Sequence, residues 1–232
     1  MSTPAKLAMP LPSYFDHTLL SPYAVRADFE RVAEECRRNK FRMMAINSSA
    51  TCLCRELLDG SGVHVGAAVS FPLGQTTIET KAFETRDAIQ NGADEIDYVV
   101  NLGKLKEGNL DYIREEMARI VTLCMEHCVI SKVIFETCYL TDEEIEALCA
   151  VTREVGPDFV KTSTGFGTAG ATVEHVALMK RLVGSGIKVK ASGGIRDLDS
   201  CLAMIDAGAE RIGSSNSVAI VEEYNRRTAE II

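Results

Sequence analysis

Two patterns of hydrophobic residues alternate along the chain, one typical of strands and one typical of helices. Short apolar runs, which are typical of buried strands, are each followed by a longer segment with apolar residues at helical spacing. The predicted strands are 14–19, 41–46, 64–69, 95–100, 132–135, 159–161, 188–191 and 211–212. The predicted helices are 25–38, 50–58, 77–90, 110–127, one that begins at the capping sequence 141–144, 173–182, 197–207 and one from Ser217. The pattern therefore predicts eight beta-alpha units.

Eight such units in 232 residues predict an α/β protein, a single-domain (β/α)8 TIM barrel over residues 1–232, because no long insertion or change in composition divides the chain. Six polar residues stand at the ends of predicted strands: Asp16, Asn47, Asp97, Glu136, Lys161 and Lys190. Strand ends of a barrel meet at one face, where the active sites of this fold lie. One such residue is ordinary at a strand end in water, but six of them indicate a site.

The segment 158–172 contains the first candidate for chemistry. Its strand is apolar except for Lys161, and small, hydroxylated or glycine residues follow. Strand alternation puts Phe159 and Lys161 on one face, so a buried Phe159 would bring Lys161 into the interior. Burial lowers the pKa of a lysine toward the range in which a neutral amine attacks a carbonyl. The alternative is a lysine that reaches water from the strand end.

Lys190 ends the predicted strand that follows the strand of Lys161. Neighbouring strands lie about 4.8 Å apart, so the two ammonium groups should come close. Like charges resist being charged together, and one lysine should therefore be neutral near pH 7, as Schiff-base formation requires. Asp97 lies on the fourth predicted strand, two strands before that of Lys161, and is placed to keep Lys190 protonated and to move protons. The alternatives are a solvent-facing Lys190 and an Asp97 that only forms a salt bridge.

Glycine and serine residues follow the last three predicted strands. They are Gly165 after the sixth, Gly193 and Gly194 after the seventh, and Gly213, Ser214 and Ser215 after the eighth. This fold commonly builds a phosphate site there from loop N–H groups and a short helix N-terminus. A single glycine is more often a turn residue, but a group at three successive strand ends predicts an anion site.

Charge and composition narrow the possible partners. The net charge of -8 argues against nucleic acid or an anionic membrane as the main partner. Residues 1–10 contain no apolar run long enough for a signal peptide or a membrane span. These features predict a cytoplasmic protein that binds small molecules.

The eight cysteines predict neither disulfides nor a metal centre. We expect reduced core residues at the positions that lie within apolar patterns, namely Cys36, Cys124, Cys128, Cys149 and Cys201. A zinc site needs a second pair of Cys or His ligands at a suitable spacing. The sequence offers no such second pair for Cys52 and Cys54, or for Cys124 and Cys128 with His127. The four histidines are scattered. We therefore expect no metal and no cofactor.

Seven segments, taken together, resemble one known family. They are D-H-T-L-L at 16–20, S-F-P-L-G at 70–74, E-I-D-Y-V-V-N at 95–101, K-V-I-F-E-T-C at 132–138, F-V-K-T-S-T-G-F at 159–166, V-K-A-S-G-G-I-R at 189–196 and R-I-G-S-S at 211–215. In this order they resemble the deoxyribose-phosphate aldolases over nearly the whole chain. That resemblance implies a metal-independent class I aldolase on a (β/α)8 barrel. The family's reaction reversibly cleaves 2-deoxy-D-ribose 5-phosphate to D-glyceraldehyde 3-phosphate and acetaldehyde, in deoxyribonucleotide catabolism.

The resemblance also implies roles for single residues. Lys161 resembles the Schiff-base lysine, Lys190 the second lysine that tunes it, and Asp97 the proton-relay acid. The substrate- and phosphate-binding residues that it implies are Asp16, Asn47, Thr162, Gly165, Gly193, Gly194, Arg196, Gly213, Ser214 and Ser215. The implied partners are the sugar phosphate and acetaldehyde, and the implied assembly is a homodimer or a higher homo-oligomer.

The chain departs from the family's pattern at three places. Residues 44–48 read M-A-I-N-S where many members have V-C-V-N-P, so a wall of the pocket changes while Asn47 is kept. Phe166 stands where some relatives carry a lysine that helps to bind phosphate, which leaves that task to the backbone and Arg196. Residues 228–232 lack the terminal tyrosine that some members use in proton transfer.

Two other functions are compatible with the sequence pattern. A different barrel lyase or isomerase that acts on a sugar phosphate would share the phosphate site without needing Lys161 and Lys190. A non-catalytic binding barrel is disfavoured, because burying two lysines and an aspartate costs stability that only chemistry would justify.

Overall fold

The computed structural model describes residues 7–230, so the first six residues and the last two lie outside it. Two predictions concern segments that lie partly outside the described residues. They are the absence of a signal peptide in residues 1–10 and the absence of a terminal tyrosine in residues 228–232. Eight parallel strands close into a barrel in chain order, and the last strand pairs with the first. This closure confirms the predicted (β/α)8 TIM barrel.

The strands are β1 (Phe15–Leu19), β2 (Met43–Asn47), β3 (His64–Val69), β4 (Glu95–Val99), β5 (Ile130–Ile134), β6 (Phe159–Lys161), β7 (Lys188–Ser192) and β8 (Arg211–Ser214). The helices are α1 (Arg26–Asn39), α2 (Thr51–Leu57), α3 (Ile78–Gln90), α4 (Leu102–Lys106), α5 (Leu110–Glu126), α6 (Asp142–Val155), α7 (Val173–Val183), α8 (Leu198–Asp206) and α9 (Ser217–Ala229). Within residues 7–230, no helix is both long and apolar enough to cross a membrane.

Local sequence signals explain where several helices begin and end. At the start of α6, Thr141 accepts a hydrogen bond from the Glu144 N–H, and the Glu144 carboxylate accepts one from the Thr141 N–H. This is the predicted capping box, which satisfies two N–H groups that the helix leaves free. The same helix ends at Gly156, whose φ of 79° is easy only for glycine. Sequence and structure therefore agree on this element.

The hydrophobic core lies between the barrel and the helices around it. Side chains alternate along a strand, so each strand sends one set outward and one set into the barrel. On β4, Tyr98 and Ile96 pack outward in the hydrophobic core, while Asp97 points inward to other charged residues. On β4 the apolar side chains thus pack against the helices, and the charged one lies in the barrel interior.

Six of the eight strands differ from the prediction by one or two residues at an end, and only β3 and β6 agree at both ends. β2 begins at Met43 rather than at residue 41, and β8 continues to Ser214. β5 covers Ile130–Ile134 instead of 132–135, because Asp158 accepts hydrogen bonds from the N–H and the hydroxyl of Ser131 and so allows a polar residue in the buried strand. The short helix α4 was not predicted, because five residues are too few for a periodic pattern.

All eight cysteines are free thiols. Four of the five expected core cysteines are buried, and burial raises the pKa of Cys124, Cys149 and Cys201 to about 12. The prediction was wrong for Cys128, which is exposed. It follows the end of α5 with a φ of 58°, so the chain has already left the helical face that points to the core.

Candidate active site

A cavity of about 370 Å³ opens at the carboxyl ends of β6, β7 and β8. Both predicted lysines lie on its wall, together with the residues expected to bind phosphate: Gly165, Gly193, Gly194, Arg196, Gly213, Ser214 and Ser215. These residues come from three separate loops and strands, and the closure of the barrel brings them together. The cavity is at the barrel face that the sequence predicts.

Lys161 is the last residue of β6, and its side chain is only 5% exposed. It points into the barrel, as does Phe159, so the predicted alternation is present. Its Nζ atom donates a hydrogen bond of 2.8 Å to Asp97 Oδ2. Burial disfavours the charged ammonium and lowers the pKa of Lys161 to about 8, although Asp97 opposes this and Lys190 adds to it. With a pKa of about 8, roughly a tenth of Lys161 is a neutral amine at pH 7, far more than for a lysine in water.

Lys190 pairs directly with Lys161 in the register of β6 and β7. Its Nζ atom lies 2.7 Å from Asp97 Oδ2 and 2.5 Å from Asp16 Oδ2. The two lysines share one carboxylate oxygen, so the predicted close approach is present. Burial and repulsion by Lys190, the two causes expected from the sequence, both lower the pKa of Lys161, and burial is the larger of them.

A third lysine, which the sequence analysis missed, lies on the other side of Asp97. Lys132 is fully buried, with its Nζ atom 2.7 Å from Asp97 Oδ1 and 2.5 Å from Glu95 Oε2. It stands at the first position of the predicted fifth strand, far from the end where a site is expected. A charged residue in an otherwise apolar strand was the one available signal.

Six interior side chains form a closed circuit in which acids and bases alternate. Asp97 contacts Lys132, Lys132 contacts Glu95, Glu95 contacts Arg211, Arg211 contacts Asp16, Asp16 contacts Lys190, and Lys190 returns to Asp97. We name this set the ion ring. Each base of the ring contacts two carboxylates. Lys161 is not a member of the ring and contacts it only at Asp97.

The charges of the ring follow from these contacts. Burial by itself would raise the pKa of Asp97, but Lys132, Lys161 and Lys190 hold it well below its usual range. Burial opposes the charge on Lys132 as well, yet Asp97 and Glu95 raise its pKa. Two carboxylates thus offset the hydration that the Lys132 ammonium group loses on burial. The single carboxylate that Lys161 contacts is shared with other lysines and does not offset the loss.

The other end of the cavity is formed by glycine-containing loops close to the start of a helix. Gly193 and Gly194 have φ values of 85° and 79°, which glycine adopts without strain. Ser214 donates its hydroxyl hydrogen to the carbonyl of Ile195 at 2.7 Å and so joins the loops after β7 and β8. α9 begins at Ser217, just beyond the cavity wall. Loop N–H groups, a helix N-terminus and the exposed Arg196 together can hold a phosphate.

Four predicted site residues lie off the cavity wall. Asp16 and Asp97 were predicted at strand ends, but β1 and β4 continue beyond them, so both lie one layer deeper, in the ion ring. Thr162 is fully buried, and its hydroxyl donates to the Ser192 carbonyl at 3.3 Å. Asn47 ends β2 and donates to the Leu20 carbonyl at 3.4 Å.

Two loops complete the rim of the cavity near Lys161. Glu136 accepts hydrogen bonds from the N–H and the hydroxyl of Thr164, and so fixes the loop after β6. In that loop Phe166 packs edge-to-face on Phe71, with ring centres 5.5 Å apart. The Lys161 Nζ atom lies 5.9 Å from the centre of the Phe71 ring. An aromatic pair therefore stands beside the amine.

Comparisons with known proteins identify the family. A family profile described as DeoC/LacD family aldolase matches residues 13–219. The chain belongs to this aldolase family. A protein from Bacteroides thetaiotaomicron named deoxyribose-phosphate aldolase is 55% identical over 214 residues, which are 92% of this chain and 90% of that protein. The predicted resemblance is thereby confirmed.

Solved structures related to this DeoC/LacD aldolase share its barrel. One described as QR15, an aldolase, has a TM-score of 0.90 at 36% identity and covers 96% of this chain and 99% of its own. Another, described as a unique tetrameric structure of deoxyribose phosphate aldolase from Aeropyrum pernix, has a TM-score of 0.87 at 33% identity, over 93% of this chain and 91% of its own. Within residues 7–230 of the aldolase, no three His, Cys, Asp or Glu side chains are grouped as metal ligands.

Proposed function

We propose that this protein is a class I aldolase that reversibly cleaves 2-deoxy-D-ribose 5-phosphate to D-glyceraldehyde 3-phosphate and acetaldehyde. The observation that carries the proposal is a buried lysine, with its pKa lowered to about 8, on the wall of a cavity whose other end suits a phosphate. The relative named deoxyribose-phosphate aldolase supports the same substrate.

Lys161 is the nucleophile in this proposal. Its neutral amine attacks C1 of the open-chain sugar, and loss of water leaves a protonated imine. The imine accepts the electron pair of the C2–C3 bond as that bond breaks, while the proton of the C3 hydroxyl passes to a base. D-Glyceraldehyde 3-phosphate leaves, the enamine is protonated at C2, and hydrolysis frees acetaldehyde and Lys161.

Asp97 and Lys190 are the proton-transfer residues of the proposal. Both lie within hydrogen-bond distance of each other, and Asp97 also reaches Lys161. Asp16 acts through Lys190, because its carboxylate touches that ammonium group and not the cavity. Thr162 and Asn47 act on the shape of the site through the backbone carbonyls that they bind.

The phosphate occupies the other end of the cavity in this proposal. The loops that contain Gly165, Gly193 and Gly194 supply N–H groups on one side, and the segment 213–215 with the N-terminus of α9 supplies them on the other. Arg196 adds a positive charge at the rim.

Borohydride trapping tests the proposed function. Acetaldehyde and borohydride, with EDTA present throughout, should add a two-carbon group to Lys161 that peptide mass mapping locates. Lys161→Arg should take up no label and release no acetaldehyde from deoxyribose 5-phosphate. Labelling at Lys190 with an active Lys161→Arg variant would refute the assignment, and activity that EDTA abolishes and a divalent metal restores would indicate a metal aldolase. A sugar-phosphate enzyme of another kind would release no acetaldehyde.

We also propose a homo-oligomer and a cytoplasmic location. The tetrameric structure of the Aeropyrum pernix relative supports the first, and eight free thiols support the second. Light scattering on the protein as it elutes from a size-exclusion column tests the assembly. A mass near 25.3 kDa, that of one chain, would contradict the homo-oligomer.

A further inference from the structure

The ion ring has a charge balance that bears on Lys161. Its three carboxylates match its three bases, so the ring is neutral as a whole when every member is ionised. All six side chains are at most 6% exposed, so water does little to screen their charges. A protonated Lys161 would therefore add one positive charge that no further carboxylate balances in this buried cluster.

Two members of the ring stand apart from the chemistry. Glu95 begins β4 and Arg211 begins β8, below the layer of Asp97 and Lys190. Neither lines the cavity, and neither touches Lys161. Their contact with each other, 3.1 Å between Arg211 Nη2 and Glu95 Oε1, closes the ring on the side away from the substrate.

We propose that Glu95 and Arg211 are positioning residues that set the protonation state of Lys161 through the charge balance of the ion ring. The inference rests on the proposed imine chemistry at Lys161. The physical basis is Coulomb energy among buried side chains, where a charge that is not in contact still acts over several ångströms. No bond between these residues and the nucleophile is needed.

Other titratable groups near the ring are few among the described residues. His64 on β3, 28% exposed, has its Nδ1 atom 2.7 Å from Glu95 Oε1 at the edge of the cluster. Glu136, beyond β5, accepts hydrogen bonds from Thr164. Lys188 on β7 is exposed, and its ammonium group lies over the Phe159 ring. The charges that face Lys161 are thus those of the ring, on β1, β4, β5, β7 and β8.

The charge balance predicts opposite effects for the two residues. Glu95→Gln leaves the ring with a surplus positive charge, so protonated Lys161 becomes costlier and its pKa falls. Arg211→Met leaves a surplus negative charge, so protonated Lys161 is favoured and its pKa rises. A unit charge several ångströms away in a protein interior corresponds to a shift of about one pH unit in either direction.

The experiment measures imine formation by the full chain as a function of pH. The initial rate of borohydride trapping with acetaldehyde should rise with a midpoint near the Lys161 pKa of about 8 in the unsubstituted protein. Glu95→Gln should move the midpoint about one unit lower and Arg211→Met about one unit higher. The double variant, which removes one charge of each sign, should return the midpoint to its original value.

A matched control is a second buried carboxylate outside the barrel. Glu116 on α5 is fully buried and paired with Lys81 on α3 at 2.6 Å. Glu116→Gln also removes a buried ionised group and should lower the melting temperature, but it leaves the ion ring intact. Its trapping midpoint should therefore stay where it is in the unsubstituted protein.

The outcomes separate this inference from the proposed function. Midpoints that do not move, or that move in the same direction in both single variants, would overturn the inference, as would a folded double variant that stays shifted. If Glu95→Gln does not fold, the upward shift in Arg211→Met and its reversal in the double variant decide the question. An unsubstituted protein that forms no imine at Lys161 would overturn the proposed function itself.

Discussion

A lysine that leaves water keeps its proton only if carboxylates compensate for the lost hydration. Lys132 touches Glu95 and Asp97, and it stays a cation whose pKa is raised. Lys161 touches Asp97 alone, through an oxygen that another lysine shares, and its pKa is lowered to about 8. The number of carboxylate contacts thus distinguishes the candidate nucleophile from a structural cation in the same interior.

Lys190→Leu tests the electrostatic part of this argument. It removes a positive charge near Lys161, so the pKa of Lys161 should rise above about 8, and each added unit lowers the neutral fraction at pH 7 about tenfold. The pH dependence of kcat/KM should show a large loss at pH 7 that recovers partly as the pH rises. A flat profile with normal imine trapping would instead make Lys190 a proton-transfer residue only.

Asp97→Asn should have a different effect. The variant removes the carboxylate that favours the protonated form of Lys161, so the pKa of Lys161 should fall, and borohydride trapping should survive. Turnover should collapse by orders of magnitude at every pH, because an amide cannot carry the relayed proton. Trapping and turnover are measured on the same preparation, and near-normal turnover would remove Asp97 from the mechanism.

Gly194→Asp tests the phosphate end of the cavity. No atom lies within 4 Å of a Cβ placed at Gly194, so the side chain fits, but its charge would repel the substrate's phosphate. KM for deoxyribose 5-phosphate should rise tenfold or more, by roughly 1.4 kcal/mol, while turnover of unphosphorylated deoxyribose changes little. Gly194→Asn is the matched control, since it has the same left-handed backbone strain without the charge. An equal loss on both substrates would place the anion elsewhere.

At the scale of elements, a second buried ion pair joins α3 and α5 behind β4. The Lys81 Nζ atom donates to Glu116 Oε1 and to the Val99 carbonyl, both at 2.6 Å. Glu116 Oε2 accepts the N–H of Asn101 at 3.0 Å. Burial lowers the pKa of Lys81 and raises the pKa of Glu116, so their attraction does not fully replace the lost hydration.

The Lys81 and Glu116 pair therefore predicts a non-additive effect on stability. Lys81→Met leaves Glu116 buried without its partner and should lower the free energy of unfolding by about 3–5 kcal/mol. Lys81→Met with Glu116→Leu should regain most of that loss, because the buried charge is gone. Urea unfolding of the single and double variants measures this, and equal stabilities of the two would contradict it.

For the whole molecule, the ion ring predicts how stability depends on pH. The pKa values of Asp97 and Glu95 are lowered in the folded state, so their stabilisation is present above the unfolded carboxyl pKa of about 4 and is lost as the pH falls through the folded values. The free energy of unfolding from urea titrations should therefore decrease steadily below about pH 4. Glu95→Gln should flatten this decrease, and an unchanged slope would contradict the explanation.

Much of the barrel and part of the site could be predicted from the sequence. Hydrophobic periodicity is local, so it predicted the eight strands and the helix that follows each of them, although not the short helix α4. Phe159 located Lys161 in the interior in this way, and the glycines after β7 marked a turn that the structure confirms. The capping sequence 141–144 needed no tertiary contact, because its hydrogen bonds join residues three apart.

The ion ring was decided by the tertiary structure alone. Periodicity tells which side of a strand a residue occupies, but not its height along the barrel axis, because the stagger of the strands is set only when β8 pairs with β1. That stagger brings Asp16 to Arg211, 195 residues away, and Lys132 to Asp97. The sequence by itself determined that charged residues enter the barrel. The closure of the barrel decided which of them compensate one another, and it left Lys161 with one carboxylate contact where Lys132, Lys190 and Arg211 each have two.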